Sequence, residues 1–113
     1  MNAQMEPTPE ELLAGSTVIF NVVVPPHILQ PTQSNEQSEA DVVVQLRPLT
    51  IGTFGLIMKA GKNDPSLIPL LMIKESLVKP ALSLEQVKKM HLGLVNFLIA
   101  QIRQISGLTE KKT

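Results

Sequence analysis

"MHLGLVNFLIAQIRQI", residues 90–105, is a long apolar run near the end of the chain. It is too apolar for an ordinary surface helix. Its most apolar part, Leu92 to Ile102, falls well short of the ~20 residues a membrane span needs. At 100° per residue, Leu84, Val87, His91, Leu94, Val95, Leu98, Ile102 and Ile105 share one stripe. Met90 and Phe97 flank that stripe on one side, and Leu92 and Ile99 on the other. Glu85, Lys89, Asn96 and Arg103 hold the opposite face. The pattern predicts one long helix over 83–106, started by a Ser83/Gln86 capping box and stopped by Gly107. One stripe binds such a helix to its own domain; two flanks need a second cover. Either the rest of the chain supplies it, or a partner does: another copy or an apolar helix of a client protein. Met90, Leu92, Phe97 and Ile99 are therefore the candidate partner-binding positions on this helix. His91, inside the stripe, reads as a satisfied core histidine.

Working backwards, Thr50 caps a predicted helix over 50–61 that carries Ile51, Phe54, Ile57 and Met58 at spacings of three and four. Gly52 and Gly55 weaken it by roughly 1 kcal/mol each against alanine. "GKNDPS" connects it to a second apolar stripe of Leu67, Leu70, Leu71, Leu77 and Val78, predicting a helix over 66–78 that "VKP" ends. Before residue 50 the period changes to two. "TVIFNVVVPP" alternates Val18, Phe20, Val22 and Val24 on one face, and "DVVVQLRP" does the same with Val42, Val44 and Leu46. Strands are expected at about 17–24 and 41–47, closed by Pro25-Pro26 and by Pro48, which lack the N–H a ladder needs.

Between the strands, residues 25–40 are mostly prolines, glutamines and small polar residues, with Ile28 and Leu29 as the only aliphatic anchors of any size. A flexible loop is expected there. An isolated two-stranded ribbon is marginal, so it must pack on the helices or borrow strands from a neighbouring copy. Val18 and Val22 are the candidate partner-binding positions on its edge. Residues 1–16 form a separate segment, in which Thr8, Pro9 and Glu11 start a short helix and Gly15 stops it; residues 108–113 are a polar tail. The expected architecture is α+β over 17–107: an N-terminal β-hairpin or ribbon packed against three C-terminal α-helices.

The 113 residues include ten basic and ten acidic ones, for a formal net charge of zero. That balance gives no footprint for nucleic-acid binding. With 43% hydrophobic residues and no net repulsion, self-association is expected. There is no cysteine, and "MNAQMEPTPEELLAG" has neither the basic nor the apolar region of a secretory signal, so a cytoplasmic location is expected. His27 and His91 stand far apart, with no metal-ligand spacing around either. "GTFG" and "GKND" lack phosphate-loop spacing, and no serine sits in an elbow motif. The acidic clusters at Glu6, Glu10, Glu11 and at Glu36, Glu39, Asp41 read as solvated surface. No catalytic, metal or cofactor-binding residue is expected, and the chain does not read as an enzyme.

The run "VVVQLRPLTIGTFGLIMKAGKNDPSLIPLLMI", a strand entering Arg47-Pro48-Leu49-Thr50, a short helix, a polar break and a second apolar helix, resembles the small tail-assembly proteins of tailed phages and of phage-tail-like contractile injection systems. The resemblance covers roughly Asp41 to Ile73 and, loosely, the last helix. It implies a cytoplasmic assembly chaperone that binds hydrophobic helical segments of a tape-measure protein until tube subunits replace it. The competing implication is a permanent component of the tail, baseplate or sheath. The valine-rich strand at 17–24 and the proline-rich loop have no counterpart in the chaperones, and favour the component. A small-ligand-binding or enzymatic domain is the reading from outside this class.

Overall fold

A computed structural model describes residues 6–31 and 41–108. The architecture is α+β, with a three-stranded antiparallel sheet in the order β1-β2-β3. β1 (Phe20–Val24) pairs with β2 (Val42–Leu46) in straight register, from Phe20 opposite Leu46 to Val24 opposite Val42. The alternation of valines dictates this pairing: Val24, Val44 and Leu46 turn to the core, and Val23 and Val43 turn away.

The third strand corrects the two-stranded ribbon. The helix expected over 66–78 stops at Ser76, and Leu77–Lys79 leaves it directly as β3, pairing with β2 through a register shift at Gln45/Leu46. Pro80 forbids further helix, and the Arg47–Ser76 clasp sets the turning point. Arg47 N–H donates to the Ser76 carbonyl at 2.9 Å, and the fully buried Ser76 hydroxyl donates to the Arg47 carbonyl. Arg47 Nε adds a bond to the Glu75 carbonyl at 3.0 Å. The arginine of "LRPLT" thus joins the end of β2 to the end of a helix.

The helices after β2 build the core together with the inner face of the sheet. α1 (Pro9–Leu13) opens on the Thr8/Glu11 capping box and runs into a 3-10 turn at Ala14–Thr17. α2 (Pro26–Leu29) is a single turn inside the segment expected to be a loop; Ile28 and Leu29 pack on the core of their own chain, while residues 32–40 of that loop lie outside the described residues. α3 (Ile51–Ala60) is capped by the Thr50 hydroxyl, and α4 (Leu67–Ser76) packs against it. A Cβ on Gly61 would run into Ile68, so glycine permits the close approach of α3 and α4.

The long helix expected over 83–106 is two helices. α5 (Leu84–Val87) ends within one turn, and α6 (Leu92–Ile105) starts afresh after a turn at Lys88–Met90. His91 is the N-cap of α6, not a residue within a continuous apolar stripe: Leu94 N–H donates to Nδ1 at 3.3 Å, and Nε2 lies 2.7 Å from the Ile28 carbonyl. With Nδ1 accepting, the proton sits on Nε2 and donates to Ile28, so one neutral ring caps α6 and ties α2 to it. At the other end Gly107, at φ 74°, closes a Schellman turn, with Leu108 N–H donating to the Arg103 carbonyl at 2.8 Å. Ser106 then accepts a bond from Leu49 N–H at 2.9 Å across the fold. Leu46, Ile73, Val87, Leu98 and Ile102 are the buried centre of the core.

Candidate functional site

Among the described residues β2 has a strand on each side, whereas β1, like β3, has a strand on one side only. Alternate residues of an antiparallel edge strand turn their N–H and C=O groups outward, unpaired. Edges of this kind are ordinarily blunted by a lysine, a proline within the strand, or a bulge. β1 has none of these. From Ser16 to Val24 the chain carries no charge, and the irregularity in the sheet falls between β2 and β3. On the outer face Val23 and Val43 stand opposite one another, 52% and 51% exposed. Phe20 lies across from Leu46 on the other face and is exposed at the start of the strand, as are Val18 and Ile19 just before it. Val18, a candidate from the sequence, is exposed just before β1, while Val22 is half-buried on the core side.

The four candidates on the last helix are distributed differently. Met90, Phe97 and Ile99 are half-buried against the core, and Met90 faces the sheet across an apolar cavity of about 210 Å³ bounded by Val24, Val44, Leu94 and Leu98. Leu92 is 78% exposed, on the first turn of α6. The structure therefore does not bring these four together as one outward face. The break at Lys88–Met90 takes Leu84, Val87 and Met90 out of the helix, whereas Leu92, Phe97 and Ile99 keep their places relative to the buried stripe within α6.

The segment before β1, whose acidic residues are expected at the surface, is the least buried part of the described chain. α1 contains no buried residue, and Leu12 and Leu13 are 73% and 67% exposed. Thr8 N–H donates to the Glu11 carboxylate at 3.0 Å and the Thr8 hydroxyl does so at 3.1 Å, holding that carboxyl below its ordinary range. The zero net charge also hides a segregation. Residues 1–41 hold six acidic side chains and no basic one, whereas residues 42–113 hold ten basic and four acidic. Counting charge by segment would have found it.

Other concavities are modest. A polar one at the start of α3 is lined by Ser16, Arg47, Thr50, Thr53 and Glu75, and its arginine is committed to the β2–α4 junction. Among the described residues no group of three or more His, Asp or Glu side chains is placed to hold a metal ion. None of the described helices is long and apolar enough to cross a membrane. The chain matches no family model, no curated protein and no solved structure.

Proposed function

We propose that this chain is a non-enzymatic assembly protein that takes up a partner strand along the open edge of β1. The observation that carries this reading is the unguarded edge itself: an uncharged, β-branched run, continued on the outer face by Val23 and Val43. Main-chain hydrogen bonds along such an edge supply affinity, and alternate side chains supply register. The setting suggested by Arg47-Pro48-Leu49-Thr50 and the helices after it is a phage tail or a phage-tail-like contractile injection system. There the chain acts as a cytoplasmic chaperone for hydrophobic segments of a tape-measure-like protein. A permanent place in the tail, baseplate or sheath is the second reading. It is favoured by β1, because a strand edge suits lasting sheet-to-sheet contact better than transient capture of a helix.

The test is a Val18→Lys/Val23→Lys chain, which charges the edge without touching the core. It is expected to keep its circular dichroism spectrum and to lose co-purification with tail proteins expressed together with it. Undiminished co-purification would refute the edge as the binding element. Mass spectrometry of finished particles divides the two settings: a chaperone is missing from them, and a component is present at fixed stoichiometry.

A further inference from the structure

A second apolar surface lies away from the β1 edge, between α3 and α4. Thr53, Leu56, Ile57, Ala60, Leu71 and Glu75 line an open groove of about 230 Å³. Ile57 is buried, Leu71 is half-buried, and Leu56 remains exposed. The close approach at Gly61 fixes the spacing of the two walls. Thr53 and Glu75 also line the polar pocket that reaches Ser16, so the segment carrying α1 leaves the body beside one end of this groove. Yet Leu12 and Leu13 do not enter the groove of their own chain, where both stay exposed.

Charge indicates what fits. The segment before β1 presents Glu6, Glu10 and Glu11 with no basic residue among them. On the groove side, Lys59 lies one helical turn from Leu56, Lys62 follows α3, and Lys74 lies one turn from Leu71. The one carboxylate of the groove, Glu75, is engaged by Lys74 at 3.4 Å. Every copy therefore carries both halves of one contact: two exposed leucines beside acidic residues, and an apolar groove beside lysines. We propose that α1 of one copy seats Leu12 and Leu13 in the α3–α4 groove of a second copy, with Glu10 and Glu11 set against Lys59 and Lys62. This contact is separate from the β1 edge and stands whether or not a partner strand binds there.

The absence of cysteine makes the test direct. Full-length Leu13→Cys and Leu56→Cys chains, purified separately, mixed and oxidised, are expected to form the mixed disulfide in preference to either symmetric one. Leu12→Ser/Leu13→Ser is expected to leave the fold unchanged and to weaken self-association in sedimentation on the order of a hundredfold, since two leucines lose their cover. Lys59→Glu is expected to weaken it less, with recovery when Glu10→Lys and Glu11→Lys are added. If the mixed disulfide fails while a chain carrying both cysteines closes on itself, the segment occupies its own groove and the proposal falls. It falls equally if the double serine variant associates as tightly as the unaltered chain. A chain that stays monomeric at high micromolar concentration would assign the groove to a different protein and overturn the proposal too.

Discussion

Residues 42–108 and residues 6–23 of the same chain are built on opposite terms. In the first region distant junctions are tied to one another, Arg47 to Ser76 and Leu49 to Ser106, and His91 reaches out of it to hold Ile28. This region supplies every buried aliphatic side chain of the core but Val24, and the excess charge of its sequence is positive. In the second region Leu12, Leu13, Val18, Ile19 and Phe20 are exposed, no residue is buried, and every formal charge is negative. Apolar side chains that remain in water contribute little to folding. The difference teaches that the two regions answer to different requirements: one holds the fold, and the other is available to something outside it.

The largest effect should come from charging the core. Leu98→Asp places an unpaired carboxylate where the side chain is 2% exposed, and a loss of more than about 4 kcal/mol is expected. Val23→Asp on the open strand should cost less than about 1 kcal/mol. Urea unfolding of both variants tests the contrast, and similar losses would break it. A smaller effect is expected at the seam between the β1–β2 connection and α6. His91→Ala removes the cap of α6 and the bond to Ile28 together, for roughly 1–2 kcal/mol. Amide exchange of Ile28–Gln30 should rise with it; unchanged exchange would show that α2 is held by packing alone.

Leu92→Asp should be close to neutral, within about 0.5 kcal/mol, because the side chain is exposed on the first turn of α6, where the helix dipole favours an anion. A large loss would put Leu92 back among the core residues. The smallest effect is at α1. Its Glu11 carboxyl is depressed by the Thr8 bonds, so this local stabilisation is complete above the ordinary glutamate range. It is lost as pH falls through the lowered folded value. Thr8 and Glu11 amide shifts in an acid titration should move together while the signals of Ile73 and Ile102 stay fixed.

How much of this was legible in the sequence depends on which physical signal each element carries. Period-two valines placed β1 and β2, and the Thr8, Thr50 and Ser83 caps marked three helix starts that the structure contains. The stop of α4 at Ser76 was hidden, because it is set by hydrogen bonds to Arg47, 29 residues away in sequence. The break before α6 was hidden for another reason. Histidine is not a preferred N-cap, and its partner Ile28 lies 63 residues upstream, so no local signal interrupts the apolar run. Of the candidate contact residues, Val18 and Leu92 lie on the surface, while Met90, Phe97 and Ile99 are half spent on the core. The acidic, unburied α1 was visible in the charge order along the chain, and a net sum concealed it.

The proposed contact lies along the open side of β1, and backbone amide exchange addresses it without any substitution. In the separate molecule the alternate amides of Phe20–Val24 that turn away from β2 have no strand partner among the described residues and should exchange quickly, while their neighbours bonded to β2 exchange slowly. As the partner is titrated in, the account expects the fast set to become protected until the whole strand exchanges as slowly as β2. If a complex forms, as followed by sedimentation, and the fast set stays fast, no strand has been added to β1 and the edge is not where this protein makes its contact.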